Sequence, residues 1–429
     1  MSKANKTFQP TVASTADKCL SSEKRVDIPI IDDSELRKTL IERIEAVALK
    51  IIKQIASGQL PYVSYFNGSD VAKFSLREEN NPECSGDTQQ DTISYYDFLP
   101  HTCFSQQDTT SYYDSSLPDC VEGQEKENQS NHQTSEKTTD FAIRSRRKFI
   151  LMMMIMAEAH RLLLTNRTKT RRAFYYNLKT EETENLVPNQ AYVDRALIDV
   201  ARLLECAPWD LKLLATAKGL VAGNMTMILV DGKIIDCTVP GGAQIPQILN
   251  ITSIRAKADF VLIVEKDAVF QLLLEEKCPS VLNCILVTGK GYPDTATRML
   301  VKMLSEKMDL PVYAIVDAGP YGVDIMLLYR FGSSTFCKGN GSLVCSNVRW
   351  LGIHPSELIA LGAKTLPLTE TDLTRLKSIE ARPYVNDAIS KQMSILRKGK
   401  AEIEAVSSFS KNFLTKTYLP YKIDSRDYI

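Results

Sequence analysis

The chain has 429 residues, 44% hydrophobic and 24% charged, with 52 basic against 52 acidic side chains. That length allows two or three domains with a sizeable core, and the composition is ordinary for a soluble globular protein. Its ten cysteines form no CxxC pair and no cluster with the four histidines, so reduced thiols in an intracellular protein are expected and a zinc site is not.

The N-terminus, MSKANKTFQP, lacks an apolar signal region, and residues 1–33 are expected to be disordered. From Ser34 to Ala56, Leu36, Leu40, Ile41, Ile44, Ala48, Ile51, Ile52 and Ile55 recur at three- and four-residue steps, and Gly58 is a fair stop. This predicts an amphipathic helix within 34–60 that docks on a surface of its own chain, a second copy or another protein.

Residues 66–140 read as an acidic low-complexity insert. From Glu78 to Asp140 there are 14 acidic and 2 basic residues, so the zero net charge hides a basic remainder. The stretch is rich in Gln, Ser, Thr and Asn. It cannot bury enough apolar surface to offset chain entropy, and disorder is expected. Two tyrosine pairs lie in it, in the imperfect repeat QQDTISYYDFLP and QQDTTSYYDSSLP. A tyrosine on an acidic tether is repelled by phosphate and has no fixed geometry, so neither pair is a catalytic candidate.

Beyond the insert the chain turns basic and helical. FILMMMIMAEAHRLLL (149–164) is apolar nearly all round, which suits a buried helix but is too short an apolar run to span a bilayer. Nine basic residues between Arg144 and Arg172 face a single acid, Glu158, as expected of a phosphate-facing surface. QAYVDRALIDVARLLEC (190–206) predicts a second helix and PWDLKLL (208–214) a short third. MTMILV, Asp231-Gly232 and KIIDC then carry the strongest short hairpin signal. Helices followed by a hairpin make a winged-helix domain, expected over 141–250, a common way to dock on DNA. A third tyrosine pair, Tyr175-Tyr176, falls in the link between the first two helices.

The second half alternates strands and helices. FVLIVEK (260–266), CILVTGKG (284–291) and PVYAIVDAGPYG (311–322) set a βαβαβ rhythm, hence a parallel sheet whose functional edge lies at the strand C-termini. Glu265, Gly289, Gly291 and Asp317 fall on that edge. Carboxylates at neighbouring strand ends suit a hard cation such as Mg²⁺. The plainer reading is a helix cap for Asp317 and a surface ion pair for Glu265. TGKG is not a P-loop, because Gly291 stands in the Ser/Thr place, so ATP hydrolysis is not expected.

RRAFYYN (171–177), TAKGLVAGN (216–224), FVLIVEKDAVF (260–270), TGKGYPDTATR (288–298), VDAGPYG (316–322), RWLGIHPSEL (349–358) and ARPYV (381–385) together resemble the meiotic double-strand-break transesterases (the Spo-eleven proteins), relatives of the A-type chain of archaeal topoisomerase VI. The resemblance implies an α/β chain in which a winged-helix domain carrying a catalytic tyrosine is followed by a Toprim domain, here 255–429 with a C-terminal helical extension. It implies Tyr176 as nucleophile with Arg172 beside it, Mg²⁺ on Glu265 and Asp317, and DNA contacts from Lys169, Arg171, Lys218, Lys290 and Arg298. A phenol has a pKa of about 10; a neighbouring cation favours the phenolate and the pentacoordinate phosphorus, and an arginine fork matches phosphate. The implied product is a 5′-phosphotyrosyl link, formed as the 3′-oxygen leaves. The implied partners are double-stranded DNA, a second copy of the chain, accessory meiotic proteins and a topoisomerase VI B-like subunit, with no membrane. The implied place is the nucleus, on chromosomes.

One departure stands out. The family pattern is Asp-x-Asp-Pro-x-Gly, and Gly319 occupies the second acid's place. A weakened metal site is expected, with glycine free to use a positive φ and Asp324 too far along to reach back well. A degenerate DNA-binding subunit of the same complex is therefore the alternative to an active enzyme. An unrelated Toprim nuclease or primase would lack the tyrosine-bearing helices.

Overall fold

The computed structural model describes residues 23–28, 33–66, 136–180, 183–332 and 343–429. Most of the acidic insert lies outside the described residues.

Two expected boundaries move inward. Within the N-terminal stretch expected to be disordered, Lys24–Asp27 form a strand, β1. Its one apolar side chain, Val26, is too little pattern to read, yet an open sheet edge elsewhere supplies its hydrogen bonds. Helix α1, Ser34–Ala56, forms as the periodicity requires; Leu40 and Ile44 are buried, while Leu49, Ile52 and Ile55 stay exposed. Strand β2 (Tyr62–Phe66) pairs antiparallel with β3 (Glu136–Asp140), Phe66 opposite Glu136. The last five residues of the expected insert are thus ordered, because Val63, Tyr65 and Thr139 are buried. The insert joins two adjacent strand ends.

The apolar segment becomes α2, Arg146–Thr165, which buries Phe149, Leu151, Met152, Ile155, Met156, Ala159, Leu162 and Leu163 and stops at Asn166 in a left-handed conformation (φ 49°). After the two-residue strand β4 (Lys169–Thr170) come α3 (Arg171–Asn177) and α4 (Gln190–Leu203). Residues 208–214 are not the expected third helix. Lys212 sits at φ 61°, and the segment turns into β5 (Leu213–Leu214), parallel to β4. Trp209, Leu211 and Leu213 are all buried, a spacing of two that a helix would scatter to opposite sides.

The expected hairpin is present as β7 (Met225–Leu229) against β8 (Ile234–Asp236), following β6 (Leu220–Ala222) and preceding β9 (Ala243–Gln244) and β10 (Ile251–Ala256). It belongs to a four-stranded sheet, β1-β10-β7-β8. Strands β6 and β9 go elsewhere. They extend the sheet of the second half, so the two halves interlock across 213–256 and do not separate at residue 250.

That second sheet runs β14-β13-β11-β12-β6-β9, with β11 (Phe260–Val264), β12 (Cys284–Thr288), β13 (Val312–Ile315) and β14 (Val348–Gly352) mutually parallel. Every residue of β11, β12 and β13 is buried, as continuous apolar runs between two helical layers require. The crossovers include α5 (Asp267–Glu275), α6 (Cys278–Val281), α7 (Thr295–Glu306) and α8 (Pro320–Phe331). The C-terminal extension adds α9 (Glu370–Glu380) and α10 (Asp387–Leu396), then returns to the turn before α8, where Ala401 bridges Ala318 in antiparallel fashion. Its last residue, Ile429, exchanges backbone bonds of 2.8 and 3.0 Å with Trp350.

Candidate active site

The tyrosine pair sits on a helix of its own, not in an irregular link. Thr170 caps that helix by accepting from the Ala173 N–H at 3.1 Å. One turn separates Arg172 from Tyr176, so the two side chains share a face. The Arg172 Nη2 donates to Tyr176 Oη at 3.3 Å, and the guanidinium carbon lies 5.7 Å from the ring centre. Tyr176 is 57% exposed; Tyr175 packs against the helical core with Lys179 over its ring. Of the two, Tyr176 is the one that stands in solvent with its hydroxyl beside a guanidinium.

The five residues expected to contact DNA divide. Arg171 is only 3% exposed; its Nε donates to the Leu213 carbonyl at 3.3 Å and its Nη1 lies 3.7 Å from half-buried Asp194. Arg298 is likewise 3% exposed and donates to the Leu343 carbonyl. Both are internal struts, a correction that charge in a sequence could not supply. Lys169 is tied to Glu158 at 2.8 Å. Lys218 and Lys290 are adjacent and reach the surface, the Lys218 ammonium donating to the Lys290 carbonyl at 3.2 Å, with the Lys290 ammonium 3.1 Å from Asp267.

At the other centre, β11 and β13 deliver Glu265 and Asp317 to neighbouring strand ends. The Asp317 N–H donates to Glu265 Oε2 at 2.7 Å. Glu265 is 8% exposed, and burial, reinforced by Asp317, pushes its carboxyl up to about 8. Burial also raises Asp317, against the pull of Lys266. One Asp317 oxygen accepts from the Ile403 N–H at 2.9 Å and the other meets the Lys266 ammonium at 3.0 Å. The two acids open on a cavity of about 100 Å³ that Gly319, Tyr321, Lys400 and Glu402 also line. Gly322 is indispensable there, since a Cβ would lie 2.4 Å from the Asp317 carbonyl and 3.0 Å from Glu265 Oε2.

Gly319 differs from expectation. It caps α8 at φ −153°, extended backbone that any residue adopts, and a Cβ on it would meet only the Lys400 Cβ, at 4.0 Å. Asp317 is not the helix cap. Asp324 cannot stand in for the missing acid: it is buried beneath Arg382 at 2.6 Å, Arg375 at 3.4 Å and the Tyr292 hydroxyl at 2.5 Å. Two carboxylates with a cavity beside them fit a hard divalent cation whose remaining positions water fills.

Sequence reading missed Lys266, Glu402 and Glu404. The Lys266 ammonium touches Asp317, Glu402 at 3.2 Å and Glu404 at 3.0 Å. The signal was the charge alternation in KAEIEA (400–405), which means nothing until the Ala318–Ala401 bridge places it at the site. A second group, His354, Glu357 and Asp427, has ligand atoms close enough for a metal ion. The buried Lys422 ammonium contacts all three and supplies their positive charge.

A family model described as type IIB DNA topoisomerase matches residues 147–213, which hold the tyrosine helix. Another, described as the Toprim domain shared by Spo11 and the A subunits of topoisomerase 6, matches residues 260–423, which hold the acidic edge. The chain is 38% identical over 304 residues to meiotic recombination protein SPO11 of Homo sapiens, covering 68% of this chain and 75% of the relative. It is 37% identical over 288 residues to meiotic recombination protein W68 of Drosophila melanogaster, 65% and 84% of the two chains. With the A subunit of DNA topoisomerase 6 from Arabidopsis thaliana it shares 34% identity over 298 residues, 67% and 68% of the two.

Proposed function

The chain belongs to the family of Spo11 and the topoisomerase VI A subunits, and we propose that Tyr176 is its nucleophile and that Glu265 and Asp317 hold its metal. It is a topoisomerase-like transesterase that makes the DNA double-strand breaks of meiotic recombination.

Tyr176 Oη attacks a backbone phosphorus. A phosphorus–oxygen bond to the tyrosine forms, the bond to the 3′-oxygen breaks, and that oxygen takes up a proton as a 3′-hydroxyl. The phenolic proton passes to the solvent to which Tyr176 is open. The Arg172 fork, already on Oη, is placed to hold the non-bridging oxygens as charge builds on them. The Toprim domain is a divalent-metal fold; Mg²⁺, the ion proposed, would supply charge neutralisation at the phosphates. Glu265 and Asp317 would hold it, and Lys218 and Lys290 would anchor flanking phosphate. One tyrosine cuts one strand, so a double-strand break needs two copies of the chain on DNA, the tyrosine of one serving the acidic edge of the other. Accessory meiotic proteins and a B-type subunit complete the proposed assembly, which works on chromosomes in the nucleus. Among the described residues no helix is long and apolar enough to cross a membrane.

The carrying observation is the Arg172–Tyr176 contact on an exposed helix face while Tyr175 packs inward. Tyr176→Phe should abolish covalent attachment to DNA with DNA binding nearly intact, and Tyr175→Phe should still cleave. The reverse pattern would move the nucleophile by one residue. The alternative of a degenerate subunit rests on Gly319 alone and is not favoured, since the family models match the tyrosine-bearing and the Toprim segments alike and the relatives are meiotic recombination proteins and topoisomerase A subunits.

A further inference from the structure

The acid missing at position 319 leaves a donor set of two, and the fold brings a third carboxylate to the same cavity from the far side. Because Ala401 bridges Ala318 in antiparallel register, Lys400 stands opposite Gly319 and Glu402 opposite Asp317. The Ala401 N–H donates to the Ala318 carbonyl at 3.0 Å and the Ile403 N–H to Asp317 Oδ1 at 2.9 Å, so this register is held from both sides. Glu402 lines the cavity with Glu265 and Asp317. Its Oε2 and Asp317 Oδ2 already converge on one cation, the Lys266 ammonium, at 3.2 and 3.0 Å.

We propose that Glu402 is the third metal-binding carboxylate of this protein, supplying from the C-terminal extension the acid that Gly319 lacks. The inference rests on the reading of Glu265 and Asp317 as the metal-holding pair.

The neighbouring acids are less suited. Asp372 also lines the cavity, but its Oδ2 is taken by the Lys400 ammonium at 2.7 Å and by the Thr369 N–H and hydroxyl, both at 2.8 Å, in a helix-capping box. Glu404 begins the short helix Glu404–Ser407 and does not line the cavity. It remains a partner for Lys266 at 3.0 Å when Glu402 turns to a metal ion, so the lysine is not stranded. The Glu402 side chain is exposed, so it can turn through solvent from the ammonium to an ion in the cavity. Mg²⁺ usually keeps several waters in its octahedral shell, and an exposed arm can take the place of one of them or accept a hydrogen bond from it.

The test is metal binding, without DNA or turnover. Mn²⁺ is titrated into the full-length protein and free ion is read by electron paramagnetic resonance. Glu402→Gln should weaken Mn²⁺ binding tenfold or more, and Glu404→Gln should change it less than twofold. Adding Gly319→Asp to Glu402→Gln should restore wild-type affinity, because the acid returns to the position across the cavity. Melting curves of each variant check the fold. Wild-type affinity in Glu402→Gln, with binding lost in Asp317→Asn, would overturn this inference alone. Wild-type affinity in Asp317→Asn would overturn the metal-site reading beneath it.

Discussion

Gly319→Asp places a carboxylate at the first residue before α8, at backbone angles an aspartate accepts and with no atom closer than the Lys400 Cβ at 4.0 Å. Aspartate and glycine differ there as helix caps by only a few tenths of a kcal/mol, and a negative charge at a helix N-terminus gains about 0.3–1 kcal/mol. Against this, the new carboxylate meets Asp317, at roughly 5 Å and an effective dielectric near 20, with a repulsion of about 3 kcal/mol, reduced by Lys400 across the bridge, while Glu265, its carboxyl pushed up to about 8, is largely neutral near pH 7 without metal. The metal-free variant should therefore be less stable than the parent by about 1–2 kcal/mol. With metal the sign reverses. One added anionic ligand in place of water should lower the Mg²⁺ half-saturation about tenfold, about 1.4 kcal/mol. Thermal melts with and without Mg²⁺, and an Mg²⁺ titration of covalent-complex formation, read both halves. Equal Mg²⁺ midpoints for parent and variant would show that the absent acid limits nothing. Cleavage by the variant alone would show that the parent is the degenerate subunit.

The acidic insert should be dispensable only if the cut respects β3. Replacing residues 67–135 by Asn-Gly joins Phe66 to Glu136, which already face each other, as a two-residue hairpin; it should preserve the circular dichroism spectrum and tighten DNA binding at low salt, where the removed negative charge is least screened. Arg171→Ala should lower stability by about 2–4 kcal/mol, because a buried guanidinium is removed and half-buried Asp194 loses its cation, whereas Lys218→Ala and Lys290→Ala should leave the melt unchanged and each reduce the salt dependence of DNA binding by about one phosphate contact. A normal melt for Arg171→Ala would return it to the DNA surface. Burial works against the ionised Glu357, but His354 and Lys422 outweigh it and hold the carboxyl down at about 2. A depressed acid contributes stability above its unfolded pKa and loses it as pH falls through the folded value, so about 2 kcal/mol should disappear between pH 5 and pH 3. Denaturation of Glu357→Gln should show a flatter profile over that window, and matching slopes would refute the clasp around Lys422.

The strands β11, β12 and β13 were legible because each is a wholly buried apolar run, and their order determined which carboxylates share an edge. The hairpin of β7 and β8 was legible from Asp231-Gly232. Strand β1 was not, since one valine in four residues carries no pattern and its partner lies more than 220 residues away. Residues 208–214 misled because their apolar content suits a helix, while the two-residue spacing of Trp209, Leu211 and Leu213 belongs to an extended segment. At the site, Tyr176, Arg172, Glu265 and Asp317 carried a family pattern. Glu402 and Lys266 did not stand out, because Glu402 reaches the cavity only through a two-residue bridge. Arg171 and Arg298 read as DNA contacts since a sequence shows charge and not burial.

The mechanism turns on which atom of the protein becomes joined to DNA. Covalent complexes can be isolated from meiotic cells, digested with nuclease and protease, and the residual nucleotide located by tandem mass spectrometry. The expected result is a single modified peptide, within RRAFYYNLK, carrying a nucleotide joined through its 5′-phosphate to Tyr176. A nucleotide on Tyr175, on a tyrosine of the acidic insert, or joined through a 3′-phosphate would contradict it.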